Sequence, residues 1–261
     1  MATEKILTAS HLHIGYASKK ETNVVAEEIS FDLYSGKLIA LVGANGIGKS
    51  TLLRTLCGIH KPLSGSVMLK EKNIQDQDVL SLAKNLSLVL TDKLPPSNLT
   101  VFELVALGRQ PYTNWLGKLS DLDLAKIHEA IALTHIQHLS DRKHHEISDG
   151  QLQKVLIARA LAQDTPLIIL DEPTTHLDLL HKVSVFKLLK KLTETTNKCI
   201  LFSTHDIDLA IQLSDEMIVM TPEKVVKDTP CHLIEKGVFN DLFQDEQIIF
   251  DKKKGKFIIK D

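Results

Sequence analysis

The sequence predicts an α/β fold with a parallel-sheet core, an antiparallel β sub-domain on its N-terminal side and an inserted helical sub-domain. Three observations predict it. Continuous apolar runs of strand length, "TPLIILDEP", "KCILFSTHD" and "EMIVMTP", are separated by helix-length segments, the βαβ pattern of buried parallel strands. Up to about residue 87, short apolar runs alternate with turns instead. From about 98 to 163 the texture changes to helical periodicity.

Taken in order, "KILTASHLHIGY" and "EEISFDLYSGKLIALVG" read as strands, followed by one helix after "GKS" and a strand in "PLSGSVMLK". In "NLTVFELVALGRQP", Thr100 and Glu103 have capping-box spacing, while Gly108 and Pro111 stop the helix they start. "DLDLAKIHEAIALTHIQHL" is a second helix candidate. "GQLQKVLIARALAQ" is a third, with Leu152, Val155, Leu156 and Ala160 on one face. The three apolar strands then complete the core. The tail "EQIIFDKKKGKFIIK" reads as two short strands about a glycine turn, its lysines solvated. The expected organisation is one domain over 1–225, with the helical sub-domain inserted at about 88–163, and a C-terminal extension over 226–261.

Composition bounds the function. With 261 residues, 43% hydrophobic and 25% charged, the chain can bury a full core. The 31 basic and 33 acidic residues leave a net charge of -2, so nucleic acid is not the expected partner. Cys57, Cys199 and Cys231 are odd in number and far apart, which fits a reducing cytosol better than a disulfide framework. No uncharged apolar run approaches the roughly 18 residues of a spanning helix, and no leader pattern opens the chain. Any service to a membrane is expected from outside the bilayer.

The strongest motif is "LIALVGANGIGKST", an apolar strand, then Gly43, Ala44, Asn45, Gly46, Ile47, Gly48, Lys49, Ser50 and Thr51, then the amphipathic "TLLRTLCG". Strand, loop and helix together are the context of a P-loop, and they make the core a P-loop nucleotide hydrolase type. Its glycines let successive backbone N–H groups face phosphate oxygens, and the helix N-terminus adds a positive dipole end. Lys49 is expected on the β- and γ-phosphates of ATP and the Ser50 hydroxyl on Mg²⁺.

Downstream, "LIILDE" sets Asp171 and Glu172 at the carboxyl end of a buried strand, where open α/β sheets bind ligands. Asp171 is placed to hold Mg²⁺ and Glu172 to polarise an attacking water. The next strand ends in "ILFSTHD", which brings His205 to the same crevice, within reach of the γ-phosphate. "EISDGQLQKV" has the form of a phosphate reader at a helix start, yet the P-loop lies far from it in sequence.

In this order, the P-loop, "ISDGQLQK", "LIILDEPTTHLD" and "FSTH" resemble the ATP-binding subunits of ABC transporters, over about residues 5 to 225. The resemblance implies a head-to-tail pair of copies in which Ser148, Asp149, Gly150 and Gln151 read the ATP held by the partner copy's P-loop. It implies that Asp178 lies in a loop spanning that dimer interface, that Tyr16 in "HIGYAS" stacks on adenine, and that His205 is the switch histidine. Asp149 departs from the family, which has glycine there; a competent, slower site is expected. In "NLSLVLTDK", Thr91 stands where a Mg²⁺-ligating glutamine is usual, so its shorter hydroxyl is the candidate ligand and coupling to a partner is the expectation it weakens.

"NLTVFELVALGRQPYTNW" and "DEPTTHLD" look like the importer branch for iron chelates, haem or cobalamin, with iron–siderophore complexes leading. That implies a peripheral ATPase dimer at the cytoplasmic face of the inner membrane, under permease subunits fed by an external binding protein. A soluble ABC-type ATPase acting on nucleic acid or ribosomes is the alternative; coiled-coil heptads or tandem ATPase units would favour it, and neither occurs. A small-molecule P-loop kinase would need neither "SDGQ" nor Asp178, and a regulatory module would not need intact Lys49, Asp171, Glu172 and His205. His128, His135, His138, His144 and His145 approach metal-ligand spacing but read better as surface histidines of the insertion.

Overall fold

The computed structural model describes residues 3–18, 21–90, 94–95, 97–242, 248–252 and 254–259. The chain begins with two long paired strands, β1 (Lys5–Ala17) and β2 (Thr22–Tyr34), and enters the core through β3 (Leu38–Gly43). The phosphate loop leads into α1 (Lys49–Leu56), and the chain returns to the first sheet as β4 (Ser64–Leu69) and β5 (Lys72–Asn73). A short α2 (Val79–Ala83) precedes β6 (Leu86–Val89). Three helices follow, α3 (Val101–Ala106), α4 (Asp121–Leu133) and α5 (Asp149–Ala162), before β7 (Leu167–Leu170). The remainder alternates: α6 (Leu179–Thr196), β8 (Cys199–Ser203), α7 (Ile207–Leu213), β9 (Glu216–Met220) and β10 (Val225–Asp228). The tail forms α8 (Pro230–Glu235), β11 (Ile248–Asp251) and β12 (Lys256–Ile259).

Among the described residues two large sheets result, as the sequence predicts, with a separate two-stranded sheet of β11 and β12 in the tail. The antiparallel one runs β2-β1-β4-β5, and the core sheet runs β10-β9-β3-β8-β7-β6. β3, β6, β7, β8 and β9 run parallel to one another, and the edge strand β10 pairs antiparallel with β9. Because β3 sits between β8 and β9, the loops at the carboxyl ends of β3, β7 and β8 share one edge of the sheet. That is where ligands bind in open α/β folds.

The pleat divides the core strands cleanly. Leu38, Ala40 and Val42 of β3, with Ile168, Leu170, Ile200 and Phe202, face the side covered by α5 and α6. Ile39 and Leu41, with Leu167, Ile169, Cys199 and Leu201, face α1 and the first sheet. Both faces are buried, which is why these strands read as continuous apolar runs instead of alternating ones. Burial also pushes the Cys57 and Cys199 thiols upward, so neither is a reactive thiolate.

The helical candidates hold, the first two with shorter bounds and the third at its expected length. α3 carries the expected Thr100–Glu103 capping box, then tightens at Ala106 into a 3₁₀ turn, Leu107–Tyr112. Gly108 lies in that turn because a β-carbon there would come 2.2 Å from the Arg159 carbonyl oxygen of α5. The second candidate does not run through "HIQHL". The buried Thr134 hydroxyl donates back to the Ala130 carbonyl at 2.9 Å and His135 turns to φ 57°, so α4 ends at Leu133. The tail strands pair antiparallel about Gly255, as the glycine turn predicts.

The helices are tied together by an ion pair that periodicity does not disclose. Arg109 and Asp123 are both buried, with Nε donating to Oδ1 at 2.8 Å and Nη1 to the Ala162 carbonyl at 2.8 Å, while the Tyr112 ring covers the guanidinium at 3.9 Å. Hydrogen bonds from the Ser120 side chain and backbone, then Arg109, hold the Asp123 carboxyl below the usual range. A depressed carboxyl contributes stability above its unfolded value of about 3.9 and loses it as pH falls through the folded value. Arg109→Leu leaves that buried carboxylate its Ser120 hydrogen bonds but no counter-charge, and is expected to cost about 3–5 kcal/mol in urea unfolding at neutral pH. A loss under about 1 kcal/mol would show that the pair is not a structural tie.

Candidate active site

The site assembles from three loop ends. After β3, the P-loop turns on two glycines in the left-handed region, Gly46 at φ 76° and Gly48 at φ 109°. Gly48 has no alternative, since a β-carbon would also come 2.2 Å from Val25 Cγ1. The Lys49 ammonium is buried, donating to the carbonyls of Gly43 at 3.0 Å and Ala44 at 3.2 Å. Burial pushes its pKa down, and the Glu172 and Asp171 carboxylates pull against that shift. Asn45 and Gly46 are exposed at the loop tip, with Ile47 folded back so that its N–H meets the Ala44 carbonyl at 3.4 Å.

After β7, Asp171 is buried and its Oδ1 accepts from Ser50 Oγ at 3.2 Å and from Ser203 Oγ at 2.7 Å. The Ser203 hydroxyl in turn accepts from the Glu172 backbone N–H at 2.8 Å, so the end of β8 sets the position of both acids. Glu172 adopts φ 48°, a left-handed conformation that is uncommon outside glycine and clusters at functional sites. Its carboxylate meets His205 Nε2 at 2.5 Å through Oε1 and accepts from Thr175 Oγ1 at 3.0 Å through Oε2. Asp206 braces the same loop, accepting from Lys182 Nζ at 2.8 Å and Thr174 Oγ1 at 3.0 Å.

Lys49, Ser50, Asp171, Glu172 and His205 therefore converge. Tyr16 joins their edge, half exposed, with its hydroxyl 2.9 Å from Thr51 Oγ1 and its ring edge-on to His60. Thr91 lies outside the described residues. Ser203, Thr174, Thr175 and Asp206 escape the sequence reading, although one signal was there: a serine closing the otherwise apolar strand "CILFS" is a buried hydroxyl that needs partners.

Ser148 caps α5, and the cap is reciprocal: the Gln151 N–H donates to Ser148 Oγ at 3.3 Å and the Ser148 N–H to Gln151 Oε1 at 3.0 Å. Both side chains act as acceptors there, which leaves their donor hydrogens unused by the cap. Asp149 lines one cavity with Asp171, Glu172 and Gln153. The Gln153 Nε2 in that wall is buried and has no hydrogen-bond partner among the described residues. Asp178 caps α6, accepting from the His181 N–H at 2.9 Å and from His181 Nδ1 at 2.8 Å, contacts that hold its carboxyl below the usual range. The His181 ring lies against Gly150, where an added β-carbon would come within 2.7 Å of it, so the first turn of α6, just past "TTHLD", touches "SDGQ" within one chain.

His128, His135, His138 and His145 are exposed, as surface histidines of the insertion should be, and His144 departs from that expectation. His144 is buried with Nε2 2.8 Å from Ser97 Oγ, and His128 lies beside the Phe102 ring. Among the described residues no three His, Cys, Asp or Glu side chains form a metal-holding group, and no helix is long and apolar enough to cross a membrane.

A phosphate loop and an acid pair on the carboxyl edge of a mainly parallel sheet define a P-loop nucleotide hydrolase. Residues 26–175 match the ABC transporter family, and the chain belongs to it, as an ATP-binding subunit with ATPase activity. The iron(3+)-hydroxamate import ATP-binding protein of Bacillus subtilis (strain 168) is 35% identical over 252 residues, 96% of this chain and 92% of that one. Among solved structures, one described as a metal-chelate type ABC transporter in an inward-facing conformation matches with a TM-score of 0.80 and 28% identity, over 98% of this chain and 96% of that one. A dimeric ATP-binding cassette in a post-hydrolysis state with ADP and Pi matches with a TM-score of 0.72 and 27% identity, over 86% and 99%.

Proposed function

We propose that this chain is the ATP-hydrolysing subunit of an importer for iron–siderophore complexes, with haem or cobalamin as alternative cargoes. The observation that carries the hydrolytic reading is the seating of Glu172 between His205 and Thr175, beside Asp171 and the P-loop. The iron reading is supported by the relative that imports iron(3+)-hydroxamate and by the metal-chelate transporter.

In this reading the P-loop amides and Lys49 bind the β- and γ-phosphates, and Tyr16 covers the adenine. The Ser50 hydroxyl and the Asp171 carboxylate, 3.2 Å apart, are hard oxygen donors of the kind Mg²⁺ takes, so the pair fits the ion. When bound, it would neutralise charge on the phosphates. Glu172 polarises the water and accepts its proton. His205, which holds the Glu172 carboxylate at 2.5 Å here, turns its imidazole to the γ-phosphate once ATP is bound. Ser148, Gly150 and Gln151, at the positive end of the 14-residue α5, read the γ-phosphate held by a second copy, with Asp178 alongside. The pair docks under permease subunits at the cytoplasmic face of the inner membrane, fed by an external binding protein.

Asp149 adds a third carboxylate to the cavity of Asp171 and Glu172. Removing it is expected to raise saturated ATPase turnover about two- to fivefold, a like-charge effect of roughly 0.5–1 kcal/mol at an exposed position. A large loss of activity in Asp149→Gly would give the acid a positive role instead.

The transport reading is tested by purifying tagged Glu172→Gln protein with ATP from gently solubilised membranes. A multi-helix membrane subunit in the eluate, whose reconstitution with this chain takes up ferric siderophore, is the expected result. Recovery alone, or with ribosomes or DNA, would replace the importer with the soluble ATPase.

A further inference from the structure

The C-terminal hairpin is fixed to the core by stacked rings. Phe250 is buried and stacks on Phe239 at 4.8 Å between centroids, and Phe257 meets Phe250 edge-on at 5.0 Å. Lys252 Nζ adds a bond to the Glu235 carbonyl at 3.1 Å. So anchored, Phe257, Ile258 and Ile259 form one wall of a cavity whose opposite wall carries Leu179, His205 and Ile207. Leu179 and Ile259 of that lining stay in water, 66% and 79% exposed, and so does the next residue in the chain, Leu180, at 81%. Leu179 and Leu180 open α6 immediately after its cap, Asp178.

We infer that this hairpin is part of the contact between two copies of the chain, with Leu180 and Ile259 as its apolar anchors. The inference rests on the head-to-tail dimer proposed above. In that dimer the Asp178 loop faces the other copy, and Leu179 and Leu180 are the next residues of the chain. The patch therefore continues the proposed contact surface outward onto the tail. A two-fold contact is isologous, and where a patch meets its own copy aliphatic side chains complement themselves while like charges would repel. Closing the dimer over this patch would also cover the cavity that His205 lines, so the tail adds affinity between copies without touching nucleotide.

The test is sedimentation velocity of the Glu172→Gln chain with ATP and Mg²⁺ across a concentration series, repeated with Ile259→Asp and, separately, Leu180→Asp added. Each addition is expected to raise the dimer dissociation constant about tenfold or more, the size of an anchor residue's loss. The monomer's affinity for a fluorescent ATP analogue should stay unchanged. Equal dimerisation with and without both substitutions overturns the inference while leaving the ATP dimer standing. Failure of Glu172→Gln itself to dimerise overturns the dimer reading, and the hairpin contact with it. Unchanged dimerisation, with Ile259 protected from labelling only in the membrane complex, assigns the patch to a permease and also overturns the inference.

Discussion

Lys49→Ala is expected to weaken ATP binding by about 30-fold to several thousandfold in titration calorimetry, the range that follows from removing one partner of a buried charge pair at about 2–5 kcal/mol. The ammonium is already in the folded chain's interior, bonded to the Gly43 and Ala44 carbonyls. Burial pushes it toward neutrality, and the neighbouring Glu172 and Asp171 carboxylates hold it charged. A triphosphate adds more negative charge to the same place, so binding reinforces the charged form instead of opposing it. The truncation removes this centre without touching the packing of α1, whose Leu52, Leu53 and Leu56 are buried. Melting without nucleotide should therefore move little, while the ATP-induced rise in Tm should vanish. Micromolar affinity retained in the variant would mean that this loop is not the site.

What the sequence discloses here follows from the range of the interactions involved. β3, β7, β8 and β9 are legible because a strand buried on both faces must be apolar throughout, and the P-loop is legible because its glycines are forced by backbone conformation. The end of α4 is not, since "LTHIQHL" keeps helical periodicity while one buried threonine and one left-handed histidine break it. The Arg109–Asp123 pair, 14 residues apart, falls on no periodic template. At the site, Asp171, Glu172 and His205 could be found by motif, but their mutual geometry is set by Ser203, Thr175 and Asp206. Hydroxyls of that kind carry no pattern of their own and become visible only when the ends of β7 and β8 are side by side.

Glu172→Gln is expected to keep ATP affinity within about threefold and to lower turnover by about 10²–10⁴, the span of a lost general base. The amide is nearly isosteric with the carboxylate. Its oxygen can still accept from Thr175 Oγ1, and the backbone N–H keeps its bond to Ser203 Oγ, so the loop and its left-handed φ are preserved. What is lost is the lone pair that takes the water's proton. His205 cannot supply it in the same geometry, because its Nε2 points at Glu172 and the proposed motion carries it to the γ-phosphate. Each residue is therefore required on its own in a single-turnover experiment. Glu172→Gln should bind and not cleave, accumulating an ATP-bound dimer, whereas His205→Ala should lose cleavage with the Glu172 carboxylate still present. Turnover of Glu172→Gln within fivefold of wild type would remove Glu172 as the base. The left-handed conformation at that position would then have to be explained by its backbone bond to Ser203 alone.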